Sequence, residues 1–192
     1  MVTVRNTRQD VIAAAGRLFA EKGYHGTSMR DLGRELGLLG SSLYAHVESK
    51  QDLLVEVVEE GARLFHASAA AALAAGGSSS DQLGQLITGH VGVVLDNPDV
   101  VRTYLNEAKM LDAEHRSRVI AARDHYEQAF RGVVGAGISE ASFRPDLDPK
   151  LSSIFILSIL NALERWYRPD GPVGRAQLAD EITTFVLSAL RR

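Results

Sequence analysis

Apolar residues recur at helical spacing along nearly the whole chain, and no stretch alternates with the period of two that marks a strand. Val11, Ile12, Ala15, Leu18 and Phe19 form the stripe of a first helix over residues 7–22, with Thr7 as its cap and Lys22-Gly23 closing it. Met29, Leu32 and Leu36 then stand at i, i+3 and i+7 on a second. Ser28 with Asp31 has capping-box spacing, and Gly37 is placed to end that helix in a left-handed conformation. Leu38 and Leu39 plug the turn that follows. Residues 41–46 make barely two more turns, pinned inward by Leu43 and Val47. A helix this short does not stand alone in water, so its neighbours must hold it. Its outer face carries small or hydrogen-bonding groups: Ser41, Ser42, Tyr44, Ala45 and His46.

The rest of the chain keeps the same period. Ser49 opens a long helix, with Asp52 in capping-box position and Leu53, Leu54, Val57, Val58, Leu64 and Phe65 inward, running to about residue 75. The GGSSS at 76–80 is the clearest break. Asp81 is expected to cap a helix to about 95, which Asn97-Pro98 breaks. A short helix over 99–109 follows, then one from 112 or 113 to about 134 that Gly135 and Gly137 end. Residues 138–147 read as a loop. Asp148 caps, and Pro149 opens, a helix to about 168. Pro169-Asp170-Gly171-Pro172 forces a turn into a final helix over 174–190. The expected fold is all-α, with about nine helices. A three-helix head at 5–65 joins a helical body at 66–192.

Two short helices about a tight turn are the shape of a helix-turn-helix, in which a supporting helix presents a recognition helix to the major groove. Charge changes this picture only slightly. Residues 1–50 carry seven Lys/Arg against five acids, +2, and the remainder fourteen against nineteen, −5, which sum to the net charge of −3. A mildly basic head on an acidic body suits a protein that places one end on DNA. Arg5 and Arg8 are candidates for a basic arm reaching phosphates. There is no cysteine, so no disulfide framework, and a reducing cytoplasm is the natural setting. Residues 1–7 lack the apolar segment of a signal peptide, and no run of about 18 apolar residues is available to span a bilayer.

The residues of the head also resemble a known family. GYHGTSMRDLGRELG followed by SSLYAHVESKQDLL is similar to the N-terminal domain of the TetR family of bacterial transcriptional repressors. Gly23-Tyr24, Thr27-Ser28, Leu32-Gly33, Gly37-Leu38, Leu43-Tyr44, His46 and Ser49-Lys50 with Leu53 match its pattern. Leu39, Ala45 and Val47 depart from it, where a capping Ser, an aromatic residue and Phe are usual. Because Leu39 cannot cap, Gly40 or Ser41 must open the recognition helix. The resemblance implies a homodimer, paired through the last two helices, on a palindromic operator in double-stranded DNA. It places Tyr44, His46 and Lys50 at phosphates. Thr27, Ser28 and Arg30 at the supporting helix are candidates to clamp the opposite strand, Ser41, Ser42 and Ala45 are the candidates for base edges, and Gly40 is also expected at the DNA. Apolar residues round more than one face of the 149–168 helix, Phe155, Leu157 and Leu160 against Ile156, Ile159 and Leu163, also point to two interfaces.

The body is expected to hold an inducer site between the helix opened by Ser49 and the one opened by Pro149. Its candidate lining residues are Phe65, Tyr104, Tyr126, Phe130, Phe155 and Trp166, with Lys109 and Arg123 as basic candidates. SFRPDLDPKL, RWYRPDGP and NEAKML resemble TetR-type repressors of steroid-ring and fatty-acid catabolism in actinobacteria. That resemblance implies an acyl-CoA or lipid or steroid catabolite as inducer. Catalysis has little support in the sequence: the six histidines show no metal spacing, and there is no G-x-S-x-G or phosphate loop. No cofactor, catalytic residue or metal ligand is expected. The alternatives are a helical small-molecule carrier and a DNA-binding regulator that needs no ligand.

Overall fold

The structure, a computed structural model, describes residues 8–37 and 47–191. Among them every regular element is helical. The α-helices are α1 (Arg8–Gly26), α2 (Met29–Leu36), α3 (Lys50–Ala74), α4 (Ser79–Asp96), α5 (Pro98–Asn106), α6 (Ala113–Ser139), α7 (Pro149–Asn161), α8 (Leu163–Trp166) and α9 (Arg175–Leu190). A 3-10 turn, Ala108–Met110, stands between α5 and α6. The expected recognition helix, with Gly40, Ser41, Ser42, Tyr44, Ala45 and His46, lies outside the described residues.

Several boundaries differ from the pattern-based expectation, among them the short helix expected over 99–109, which ends at Asn106 ahead of the 3-10 turn. At α1 the helix closes at Gly23 (φ 72, ψ 165), but a further helical turn follows to Gly26, giving one element with a kink. At α4 the cap is Ser78: its hydroxyl accepts from the Asp81 amide, and Asp81 is the third residue of the box. Gly135 and Gly137 do not stop α6, which continues to Ser139. Gly137 is a close-approach glycine, since a Cβ there would collide with the Phe143 ring. The helix expected over 149–168 is interrupted at Ala162 (φ −66, ψ −19), where the hydrogen-bond ladder tightens before the single turn of α8.

Two compact units are formed, Met1–Ala62 with Asp99–Ile120, and Arg63–Pro98 with Ala121–Arg192. The first buries Val11, Leu18 and Phe19 of α1, Leu32 of α2, Leu53, Leu54, Val57 and Val58 of α3, and Val101 and Tyr104 of α5. Small residues bring its helices close. A Cβ on Gly61 would sit 2.7 Å from that of Tyr104, and the buried Thr103 hydroxyl donates to the Gly16 carbonyl at 3.1 Å. In the second unit α9 packs along α4, where Gly84 gives Thr183 room, and Leu178, Ile182 and Val186 of α9 are buried, as are Leu83, Leu86 and Ile87 of α4. The Arg144 amide donates to the Leu190 carbonyl at 2.9 Å, fastening the loop after α6 to the end of α9.

Candidate nucleic-acid interface and ligand site

Within the head, α2 begins and ends as a supporting helix must. The Ser28 hydroxyl accepts from the Asp31 amide at 3.1 Å, and Asp31 accepts from the Ser28 amide at 3.0 Å. These bonds, the Ser28 hydroxyl first, hold the Asp31 carboxyl below its ordinary pKa. Gly37 (φ 64, ψ 23) ends the helix in the left-handed region with its amide on the Arg34 carbonyl, turning the chain toward residues 38–46. Ser28 and Arg30 stand exposed at the first turn.

Three other residues expected at DNA have partners within the protein. Thr27 is buried, and its hydroxyl donates to the carbonyls of Leu18 (3.1 Å) and Gly23 (3.0 Å), so it clamps the end of α1. The Lys50 ammonium donates to the carbonyls of Tyr24 (2.9 Å) and Thr27 (2.8 Å) and lies 4.2 Å from the Tyr24 ring centroid. Those carbonyls end α1, where a cation is favoured. Arg8, placed by its sequence in a basic arm, forms a two-pronged pair with Glu56 of α3 at 3.0 and 2.6 Å.

A buckle of side chains joins the kink of α1 to α3 and to the turn after α5. The Tyr24 amide donates to the Glu107 carboxylate at 3.0 Å, and the Tyr24 hydroxyl to Gln51 at 2.8 Å. Gln51 reaches on to the Met110 carbonyl at 3.5 Å. Burial, and secondarily Asp52, raises the Tyr24 phenol above its ordinary pKa, so it remains a neutral donor.

In the second unit, three expected ligand residues come together: Phe65 of α3 with Tyr126 and Phe130 of α6. Ring centroids lie 5.3 Å apart for Phe65–Tyr126 and 5.5 Å for Tyr126–Phe130. A residue absent from the sequence-based set completes the cluster. His90 of α4 is buried, 4.6 Å from the Phe65 ring, with Nδ1 at 3.0 Å from the Tyr126 hydroxyl. Its Nε2 makes no hydrogen bond among the described residues. Burial pushes the imidazole down to about 3, so it is neutral. The signal was present in the spacing: His90 falls in register with Leu83, Leu86, Ile87 and Val94 on the buried face of α4. His66 and His125 stack beside the cluster at 5.1 Å.

Phe155 and Trp166 do not join this cluster. Phe155 and Trp166 are 63% and 55% exposed, because α7 turns Ser152, Ser153, Ile156 and Leu160 inward and α8 buries Leu163. Tyr104 and Lys109 belong to the first unit, Tyr104 packed on Gly61 and Lys109 exposed on the 3-10 turn. Arg123 lies on α6, half-buried, three residues before Tyr126. Phe155 and Phe185 flank an apolar groove of about 400 Å³ between α7 and α9, lined also by Leu151, Ile159 and Ala189. A more open and polar groove of about 630 Å³ runs between α3, α4 and α9, past Ser68, Thr88 and Asp180. Among the described residues no three His, Cys, Asp or Glu side chains gather into a metal site, and no helix is long and apolar enough to cross a membrane.

Comparison with known proteins agrees with both halves of this arrangement. Residues 11–57 match the family of bacterial regulatory proteins of tetR type, and residues 76–190 match the tetracyclin repressor-like C-terminal domain. The chain is 29% identical to the HTH-type transcriptional repressor KstR2 of Rhodococcus jostii over 95% of its length and 90% of that protein. It superposes on the ketosteroid transcriptional regulator KstR2 of Mycobacterium tuberculosis with a TM-score of 0.91 at 27% identity, covering 98% of this chain and 97% of that one. It superposes on the TetR family regulator PfmR of Thermus thermophilus with a TM-score of 0.86 at 32% identity, covering 95% and 99%. The capped α2 with its left-handed Gly37 lies in the first matched region and α4 to α9 lie in the second, and the chain belongs to the TetR family of bacterial DNA-binding transcriptional repressors.

Proposed function

We propose that this protein is a cytoplasmic, homodimeric repressor that leaves a palindromic operator when a small molecule, an acyl-CoA or a lipid or steroid catabolite, enters the second unit. The observation that carries the reading is α2: a doubly bonded Ser28–Asp31 cap at one end and a left-handed Gly37 at the other, leading directly into the matched residues 38–46. In the proposed interface Ser28 and Arg30 meet one DNA strand. Tyr44 and His46 meet phosphates of the other, and Gly40, Ser41, Ser42 and Ala45 face the bases. Small side chains there favour readout through water and DNA shape. Lys50 and Thr27 brace the head and act on DNA through that bracing.

Dimerisation is supported by the apolar groove between α7 and α9, with Leu151, Phe155 and Phe185 between 51% and 64% exposed around it. Such a face is stable in water when a second copy covers it. The lipid-type inducer is supported by the KstR2 relatives, one of them a ketosteroid regulator, and by the aromatic cluster of Phe65, Tyr126 and Phe130. The head at 5–65 and body at 66–192 remain the proposed division of labour. The 99–120 segment that packs with the head is the proposed route by which ligand alters it.

The test is selection of bound DNA from genomic fragments at stated, near-physiological salt. One or a few palindromes are expected. Arg30→Ala with Tyr44→Ala is expected to weaken binding and to lower the salt dependence by about one counterion for each phosphate the protein no longer neutralises, with the helical circular dichroism unchanged. Lys50 is the wrong residue for this test, since its loss loosens the head itself. Weak, sequence-blind binding by the wild type would instead favour a helical carrier.

A further inference from the structure

We infer that His90 is the polar recognition point of a ligand site in the second unit, and that it takes an apolar molecule through a carbonyl oxygen, by donating from Nε2. This rests on the reading of the protein as ligand-released and adds to it the chemistry that the ligand's buried end must carry.

The argument starts from the proton. His90 is 1% exposed and its Nδ1 lies 3.0 Å from the Tyr126 hydroxyl. A phenol is a stronger acid than an imidazole N–H, so the favourable bond has the Tyr126 hydroxyl donating and Nδ1 accepting. A neutral imidazole carries one proton, which this bond places on Nε2. Nε2 then faces away from Tyr126 as a donor, and no described residue accepts from it. Buried donors in folded proteins are nearly always satisfied, so this one calls for an acceptor.

The surroundings define that acceptor. Phe65 lies 4.6 Å from the His90 ring and 5.3 Å from Tyr126, and Phe130 lies 5.5 Å from Tyr126. These rings suit a carbon framework. The imidazole stays neutral, so it offers no charge to balance a carboxylate or phosphate, and burying such an anion beside it is unfavourable. What fits is a neutral oxygen that accepts and does not ionise. A ring ketone and an acyl thioester both supply one.

The test uses the full chain with 15N-labelled histidine. Long-range 1H–15N spectra report which ring nitrogen carries the proton, and His90→Phe assigns the signals. Two matched probe pairs are titrated: octanoyl-coenzyme A with its carbonyl-free thioether S-octyl-coenzyme A, and trans-1-decalone with trans-decalin. The expected result is a proton on Nε2 and a saturable shift of that nitrogen with a carbonyl probe. Carbonyl affinity should exceed that of the matched partner by roughly three- to tenfold, the range of one neutral hydrogen bond, and the ratio should collapse toward one in His90→Phe. A response to octanoyl-coenzyme A alone assigns a thioester, and to decalone alone a ring ketone. Should His90→Phe not fold, Tyr126→Phe keeps the imidazole and removes the hydroxyl that fixes its proton, and the ratio should fall there too. The proposal is overturned if the proton sits on Nδ1, if no probe moves the His90 signals, as for a core histidine satisfied by water, or if the ratio is the same in wild type and variant. The repressor reading fails separately, when fragment selection yields no operator whatever His90 binds.

Discussion

Replacing Glu107 with alanine removes the acceptor that holds the kink of α1. The Tyr24 amide donates to this carboxylate at 3.0 Å, directly after Gly23, whose φ of 72 puts the chain in the left-handed region. That amide has left the helical ladder, so no carbonyl stands ready to replace the carboxylate. A hydrogen bond to a charged acceptor contributes about 1.5–3 kcal/mol, and the half-buried setting argues for the lower end, about 1–2 kcal/mol. Local opening at Tyr24 should then become about tenfold more frequent, since about 1.4 kcal/mol is one decade in an equilibrium. Amide hydrogen exchange at Tyr24 reads this directly. Glu107→Gln keeps an acceptor oxygen but no charge and should recover about half the protection. Operator affinity should fall by less than about tenfold in Glu107→Ala, in proportion to the fraction of heads that are closed. If Tyr24 exchanges at the wild-type rate in Glu107→Ala, the carboxylate is not what secures the kink and the reasoning fails.

Three further outcomes follow from other parts of the fold. His90 has its pKa pushed down from 6.5 to about 3 by burial, so between those values the unfolded chain binds a proton that the folded chain does not. Stability is therefore full above about pH 6.5 and declines as pH falls toward 3, by roughly 2 kcal/mol at pH 5; urea unfolding at pH 7, 6 and 5 should show His90→Phe with the flatter slope, and equal slopes would refute the assignment. Phe155→Glu with Phe185→Glu, at sites 63% and 64% exposed, should convert a dimer to monomer in sedimentation velocity, since each Phe covered by a partner contributes about 1.5–3 kcal/mol. Gly137→Ala should cost about 1–3 kcal/mol in denaturant unfolding, because the new methyl enters the Phe143 ring and α6 must give way; an unchanged midpoint would show that the loop after α6 repacks freely.

Helix starts were legible in the sequence wherever a side chain caps its own helix. Ser28 with Asp31, Gly37, and Asp148 with Pro149 act where their spacing places them, because a cap is a bond between residues three apart and needs nothing from the rest of the fold. At α4 the same logic held, but several serines precede Asp81 and Ser78 proved to be the cap, with Asp81 as its partner. Helix ends were less legible where a distant residue decides them. Gly135 and Gly137 read as terminators, yet α6 passes through both, since the role of Gly137 is set by Phe143 lying against it. The break at Ala162 has no glycine or proline to announce it. Lys50 and Thr27 were expected at DNA, and their partners within the protein are carbonyls, which no sequence pattern displays.

The proposed ligand site divides along the same line. Phe65, Tyr126 and Phe130, all expected at the ligand, meet because large apolar groups on a core stripe nearly always meet one another. Phe155 was misplaced by one residue of phase. A step of one residue turns an α-helix through about 100°, and on a helix apolar nearly all round, hydrophobicity does not choose between Phe155 and Ile156. The choice is made by the serines. Ser153 is buried and its hydroxyl donates to Glu127 of α6 at 2.9 Å, which fixes Ser152, Ile156 and Leu160 inward with it and leaves Phe155 outside. His90 is the converse case: a polar residue held on a core stripe by neighbours that are all apolar. In both places the informative residue is the polar one in an apolar row, because it is retained there against the cost of its own burial and so marks where a specific partner is required. Ser153 has that partner in Glu127. His90 has one for Nδ1 in Tyr126 and requires another for Nε2, and so the ligand's chemistry should be sought there before the larger, solvent-open groove beside Ser68 and Thr88.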